Sequence, residues 1–357
     1  MRIANILINP EKSFDNDMIV ERSFVDYALY LTKRDAQVLS IFECDENYRE
    51  ATIEASSKVL EISSNNFFKF INFFKTWIKF IEFNPQIALC HSVKSLRFAK
   101  FGRLFAKKSF AIIAIANHDP MKFLSADYII VRNSLYVHDL IEKGIKRENI
   151  FVINNSIEIE KDFKTLKKTP FQKPLRIGSI GFINPNKNFD KVLRSLVVLR
   201  SRGFDCSYKI MGSGNFEDNL NMLAIELRLE KNFKIINWDN DKRKFFEEID
   251  ICVMPFGNSL NSDFILDPML YSTPMIVSNS STWEEIIENN INGIKIDISD
   301  ESLIANQISD AIEKLVNNES DAIQYGKRAG EKIIDHFSAE VVSNRVYQIC
   351  KNISDII

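Results

Sequence analysis

The chain has 357 residues, 45% hydrophobic and 26% charged, with a formal net charge of −2. That is the balance of a soluble globular protein, and the length calls for two domains rather than one core. It argues against a membrane-spanning class, because no apolar run reaches the roughly 20 residues a bilayer crossing needs.

Five cysteines (Cys44, Cys90, Cys206, Cys252 and Cys350) have neither Cys-x-x-Cys nor metal-site spacing, which points to reduced thiols in a cytosol. The opening MRIANILINP has one basic residue, a short apolar run and an early Pro, so it reads as a strand and not a leader. A cytoplasmic location follows as the expectation. The halves differ in charge: residues 1–173 carry 26 Lys and Arg against 21 Asp and Glu, and residues 174–357 carry 20 against 27.

In the first half, strand-like runs recur at Ile3–Ile8, Gln37–Ile41, Ile87–Cys90, Ala111–Ala116, Tyr128–Arg132 and Ile150–Ile153. Helical stretches at Val20–Thr32, Phe67–Phe83, Val93–Lys107 and Tyr136–Lys143 alternate with them, which predicts a parallel, doubly wound sheet. Phe67–Phe83 is apolar almost all round, with Lys69, Asn72, Lys75, Thr76, Lys79 and Glu82 on one narrow stripe. It reads either as a helix wedged against the sheet or as a surface that meets lipid.

From Phe83 to His118 there is no acidic residue, while Lys94, Arg97, Lys100, Arg103, Lys107 and Lys108 are all basic. Most lie three or four apart, opposite Leu96, Phe101, Leu104 and Phe105. A solvated basic face and an interface with an anionic membrane both fit this pattern. Nucleic acid does not, since the chain is slightly acidic and carries no nucleic-acid motif. His118 follows a strand and precedes Asp119-Pro120, placing it on a loop as either a structural or a functional histidine.

After the polar linker Glu158–Pro174 the pattern restarts. Strand Leu175–Ile180 leads into the loop Gly181–Asn188 and a helix from Phe189 to Arg202. A Gly-bearing turn, a helix N-terminus and Lys187 beside it would attract a phosphate. The unit repeats as strand Tyr208–Met211, then Gly212-Ser213-Gly214, then helix Phe216–Leu227. Strand Lys234–Ile236 precedes Asn237-Trp238 and a brief helix, Lys242–Glu248. Strand Ile251–Pro255, a polar loop, a helix from about Phe264 carrying Asp267, and strand Met275–Val277 follow. The remaining elements are a helix Trp283–Asn290, a strand Ile294–Ile296 and helices Glu301–Asn317, Asp321–His336 and Ala339–Ile353.

In this order, the second half resembles the nucleotide-sugar domain of GT-B fold glycosyltransferases of family 4. The resemblance is carried by Ile180-Gly181 with Lys187, Ile210-Met211-Gly212-Ser213-Gly214, Asp267-Pro268-Met269-Leu270 with Pro274, and Glu285-Ile286-Ile287 before Gly293. The first half fits through His91, His118, Ala126-Asp127-Tyr128-Ile129-Ile130, Gly144-Ile145 and Val152-Ile153-Asn154-Asn155.

It implies two Rossmann-like domains facing a cleft: residues 1–160 for the acceptor, joined by helix 339–357, and residues 174–338 for the donor. It further implies metal-independent, retaining transfer of a sugar from a nucleotide diphosphate, with no cofactor, to a glycan or lipid-linked acceptor in bacterial surface polysaccharide synthesis. Catalytic roles fall on His118 and Lys187; donor contacts fall on Gly181, Lys187, Gly212, Gly214, Trp238, Ser259 and Asp267. Among these, Lys187 takes the phosphate, Asp267 the ribose and His118 the transferred sugar. Trp238 is either a base contact or a packing wedge. Lys94, Arg97, Lys100, Arg103 and Lys107 are the candidates for facing a membrane.

Three positions depart from the family's pattern. Phe182 stands where a phosphate-binding Arg is expected, Ser259 where the first Glu of a Glu-x7-Glu pair is expected, and Met18-Ile19 where a Gly pair is expected. Either other cations such as Arg176 or Arg243 substitute, or the protein is slow, altered in donor or catalytically silent. The alternative expectation is therefore a non-catalytic GT-B protein that binds or scaffolds an active transferase.

Overall fold

The computed structural model describes residues 1–8, 17–43, 46–62, 69–117, 119–160, 163–166, 170–238, 241–257, 263–280 and 283–357. His118 and Ser259 lie outside the described residues, as do the side chains of Met18 and Ile19. The chain divides into two compact units: Met1–Glu158 with Phe337–Ile357, and Ile159–His336.

Unit 1 contains β1 (Arg2–Leu7), α1 (Asp17–Thr32), β2 (Gln37–Phe42), α2 (Glu46–Ala55), β3 (Lys58–Glu61), α3 (Lys69–Phe83), β4 (Ile87–Cys90), α4 (Val93–Arg103), β5 (Ala111–Ala116), β6 (Tyr128–Val131), α5 (Leu135–Glu142) and β7 (Ile150–Val152). Unit 2 contains β8 (Leu175–Ile180), α6 (Phe189–Ser201), β9 (Cys206–Met211), α7 (Glu217–Glu226), β10 (Phe233–Ile236), α8 (Lys242–Glu247), β11 (Ile251–Met254), α9 (Leu266–Leu270), β12 (Met275–Ser278), β13 (Ile294–Ile296), α10 (Ile304–Asn317) and α11 (Glu319–His336). The last helix, α12 (Ala339–Ser354), returns to unit 1.

The sheet of unit 1 is seven-stranded in the order β3-β2-β1-β4-β5-β6-β7, with every pair parallel. Parallel sheets are covered on both faces, so their central strands read as near-continuous apolar runs. All six residues of β5 (AIIAIA) are buried. Alternate residues of β1 show the two layers. Ile3 packs with Tyr27, Ala28 and Leu31 of α1 and with Val342, Val346 and Cys350 of α12. Ala4 and Ile6 pack with Phe80 of α3 and with Leu96 and Phe98 of α4.

Unit 2 has a six-stranded parallel sheet in the order β10-β9-β8-β11-β12-β13. Chain order reverses between β8 and β11, and in such sheets a ligand crevice opens outside the carboxyl ends of the strands at that switch point.

Several elements differ from the sequence expectation. The helix expected from Phe264 is a 3-10 turn, Asp263–Ile265, followed by the five-residue α9, which stops at Ser272 in a left-handed conformation (φ 53°). α11 presses against that corner: a Cβ on Gly326 would lie 2.2 Å from the Ser272 carbonyl oxygen. The stretch expected as a helix, Trp283–Asn290, closes only a single turn, with the amides of Ile286 and Ile287 both donating to the Trp283 carbonyl. α4 stops at Arg103 rather than Lys107, and α2 and β3 are additional elements.

Candidate functional site

The switch point of unit 2 gathers four loops. After β8 the chain turns at Gly181, whose φ of +151° suits glycine. Its amide donates to the Met211 carbonyl at 3.1 Å, the Ile183 amide to the Ser213 carbonyl at 2.8 Å, and the Phe216 amide back to the Ile183 carbonyl at 3.2 Å. The β8 and β9 loops thus lie backbone on backbone. A Cβ on Gly212 would sit 2.0 Å from the Gly181 oxygen, and one on Gly214 would sit 2.1 Å from the Ile183 oxygen.

This changes the reading of both glycines. They bring two loops together, a role the sequence expectation does not include, and the Gly214 amide is engaged by Glu217 Oε1 at 2.6 Å.

Lys187 ends a 3-10 turn, Pro185–Lys187, that Asn184 caps by accepting the Asn186 amide at 3.1 Å. Asn188 follows at φ 56° and donates its side-chain amide to the Pro255 carbonyl at 2.7 Å. The Gly257 amide donates to the Asn186 carbonyl at 3.3 Å. These bonds tie the β8 loop to the β11 loop across the switch point. Lys187 is only 4% exposed, and its ammonium lies 4.6 Å from the ring centroid of the fully buried Phe256. Phe256 meets Phe189 edge-on at 5.6 Å. A buried ammonium on an aromatic face is a cation held in a low-dielectric setting, where its field on an arriving anion is strong.

Phe182 joins an aromatic triangle. Its ring is edge-on to Trp238 at 5.6 Å and to Phe264 at 5.5 Å, while Trp238 stacks on Phe264 at 5.2 Å and 18°. The Trp238 indole donates to Ser213 Oγ at 3.1 Å, which fixes its edge, and the residue remains 38% exposed. Trp238 is therefore a packing element that still shows surface at the carboxyl end of β10.

The two substitute cations expected from the sequence are committed elsewhere. Arg176, at the opposite end of β8, grips the buried Asp250 with Nη2 to Oδ1 at 2.6 Å and Nε to Oδ2 at 3.1 Å. Arg243 donates to Glu247 Oε1 at 3.0 Å and to the Lys164 carbonyl at 2.8 Å.

A second basic residue, Lys242, meets Asp267, a pairing the sequence expectation does not include. Its Nζ donates to Asp267 Oδ2 at 2.7 Å. Asp267, in the first turn of α9, has a side chain 9% exposed, against 33% for Lys242. One turn on, Tyr271 stacks on Phe246 at 4.8 Å, and burial, then Asp267, pushes its hydroxyl up to about 12, so it stays protonated.

The pair makes an asymmetric prediction. Lys242→Ala strands a buried carboxylate, whereas Asp267→Ala leaves an ammonium that can turn to water. We expect the lysine loss to cost about 1–2 kcal/mol, below the roughly 3–5 of a fully buried pair because Lys242 is partly wet. The aspartate loss should cost less. Urea unfolding of both single variants and the double variant checks this, and equal losses would mean a screened surface pair.

His91, at the end of β4 in unit 1, is a core group. Its Nε2 lies 2.9 Å from Asn5 Oδ1, it packs on Phe24 and Tyr27, and burial, then the Arg132 charge, pushes it down to about 3. In the basic stretch, Lys94, Arg97, Lys100 and Lys107 are exposed. Arg103 is not available to a membrane: it pairs with Asp127, whose Oδ2 also accepts the Ile112 amide at 2.8 Å.

The chain is similar to known glycosyltransferases. The amylovoran biosynthesis glycosyltransferase AmsK of Erwinia amylovora is 23% identical over 243 residues, 66% of this chain and 58% of that protein. The lipopolysaccharide core biosynthesis glycosyltransferase LpsE of Rhizobium meliloti is 24% identical over 230 residues, 64% of this chain and 65% of that protein. The crystal structure of HepE from Anabaena in complex with UDP superposes with a TM-score of 0.73 at 13% identity, covering 99% of this chain and 100% of that one. Residues 160–332 match the family Glycosyl transferases group 1, and both parallel-sheet units together have the GT-B fold of solved glycosyltransferases.

Proposed function

We propose that the chain is a family 4 glycosyltransferase of bacterial surface polysaccharide or lipopolysaccharide synthesis. In this reading it moves a sugar, with retention and without a metal ion, from a nucleoside-diphosphate sugar in unit 2 to a glycan or lipid-linked acceptor. The observation that carries the proposal is Lys187, a buried cation locked between the β8 and β11 loops at the switch point.

Its ammonium would meet the negative charge that grows on the departing diphosphate, the kind of fixed stabilisation on which such transfers depend. Asp267, held through Oδ2 by Lys242, would receive a ribose hydroxyl on its other oxygen. The exposed part of Trp238 would flank the base. His118 is assigned to the transferred sugar and Ser259 to the donor by resemblance alone. The UDP carried by HepE makes uridine nucleotides the first donors to try.

A panel of nucleotide sugars, read by thermal shift and by release of nucleoside diphosphate, tests the proposal. Stabilisation together with release is the expected result, and no shift with any nucleotide or nucleotide sugar would overturn it. Binding without release across donors and acceptors would favour the alternative, a non-catalytic partner of an active transferase. Phe182, the aromatic residue at the usual cation position, is the feature that supports that second reading.

A further inference from the structure

The outer side of α3 and α4 carries an apolar patch that nothing in the donor chemistry uses. Phe74 and Ile78, one turn apart on α3, are 45% and 46% exposed. Phe101, Leu104 and Phe105, at the end of α4, are 42%, 77% and 56% exposed. Trp77 joins the two rows, with its ring 5.5 Å from Phe74, 5.2 Å from Phe101 and 5.1 Å from Phe105. The helices come this close because residue 102 is glycine: a Cβ there would lie 2.4 Å from the Phe80 ring. The Trp77 residue is only 9% exposed, and its indole N–H has no acceptor among the described residues. Contiguous exposed apolar surface of this kind marks a contact with something else.

The charge around the patch selects the partner. Lys75 and Lys79 flank Phe74 and Ile78 on α3, and Lys94, Arg97, Lys100 and Lys107 are exposed on α4 and just beyond it. Lys94, Arg97, Phe101 and Leu104 follow one another at helical spacing, so these two cations share a face with apolar groups instead of lying opposite them as the sequence pattern suggests. Glu82, on the last turn of α3, is an exposed acid near this rim, and none follows it up to Asn117. A second copy of the chain would bring like charges together across a two-fold axis. An anionic bilayer matches both features, because aromatic and aliphatic side chains enter the acyl boundary while lysine and arginine remain at the headgroups.

We propose that the α3–α4 face docks unit 1 onto an anionic lipid surface, with Leu104 and Phe105 entering most deeply. The contact is interfacial: no described helix is long and apolar enough to cross a membrane. The inference goes beyond the transferase reading and does not depend on the donor site.

Flotation of the full chain with vesicles of phosphatidylcholine, alone or mixed with phosphatidylglycerol, tests it. Binding should favour the mixed vesicles and weaken as salt rises. Each basic side chain near such a surface contributes about a fivefold factor, so Lys94→Glu with Arg97→Glu and Lys100→Glu should cut partitioning by about a hundredfold or more. Leu104→Ser with Phe105→Ser should reduce it at least about tenfold at constant charge.

An unchanged thermal midpoint for each variant shows that it folds, and a retained nucleotide-induced shift separates a failure here from a failure of the donor site. No wild-type binding to mixed vesicles, equal binding to neutral ones, or no effect of charge reversal would overturn the proposal. So would a dimer that forms through this patch without vesicle binding.

Discussion

Lys187→Met is expected to lower kcat/KM for the donor identified by diphosphate release by about 10²–10³-fold, the usual cost of removing one fixed group that stabilises developing charge. Methionine keeps an unbranched apolar stem that can lie along Phe256, so the change removes charge more than packing. Backup should be small. Phe182 occupies the neighbouring cation position, Arg176 is gripped by Asp250 and Arg243 by Glu247 and the Lys164 carbonyl.

The diphosphate is already charged in the ground state and gains charge as it leaves. KM should therefore rise, but kcat should carry the larger part of the loss. Lys187→Arg should recover part of it, limited by the fit of a planar guanidinium under the β11 loop. A loss below about tenfold in a variant with a normal thermal midpoint would remove Lys187 from the role of leaving-group cation.

The units of this fold were legible wherever an apolar run met a turn signal. Leu175–Ile180 before Gly181 and Tyr208–Met211 before Gly212 read as strands because most of their residues are apolar and buried, with Arg176 and Lys209 as half-buried interruptions. α2 and β3 were missed for the converse reason: ENYREATIEA and KVLE are too polar and too short for a periodic apolar face. The start of α9 was placed early because the apolar pattern from Phe264 suits a helix, while the backbone closes Asp263–Ile265 as a 3-10 turn before α9 begins at Leu266.

At the site the limit was pairing. The run Lys242-Arg243-Lys244 announces cations, but the rotation of about 100° per residue along a helix decides which of them meets Asp267, and this is not written in composition. The same holds for Arg103, whose helical neighbours suggest an open basic face although Asp127 draws it away. The glycines of the β9 loop were expected as donor contacts through the family resemblance, and their close approach to the β8 backbone was not foreseen because it depends on the path of a second loop.

Asp26→Asn is expected to stabilise unit 1 by about 3 kcal/mol near pH 7 relative to the wild type, and by almost nothing near pH 4. Asp26 is 5% exposed, and burial, opposed by Arg22 and Arg132, raises its carboxyl from an ordinary 3.8 to about 6. A raised acid binds its proton more tightly in the folded state. Its charge therefore costs nothing below the unfolded value, and the cost grows as pH rises from about 4 to about 6 and stays constant above.

His91 acts with the opposite sign. It is held from 6.5 down to about 3, so the folded state refuses a proton that the unfolded chain accepts, and stability falls as pH drops below about 6.5. Across pH 4 to 6 each group contributes a slope of about 1.4 kcal/mol per pH unit, in opposite directions. The wild type should therefore be nearly flat in that window with respect to this pair, and Asp26→Asn should expose the histidine slope. Urea unfolding of unit 1, followed through protection of the β5 amides at several pH values, checks both statements. A variant whose advantage over the wild type does not shrink on acidification would show that Asp26 is ionised at ordinary pH without strain. The buried polar layer between α1 and the sheet would then be better solvated than its burial implies.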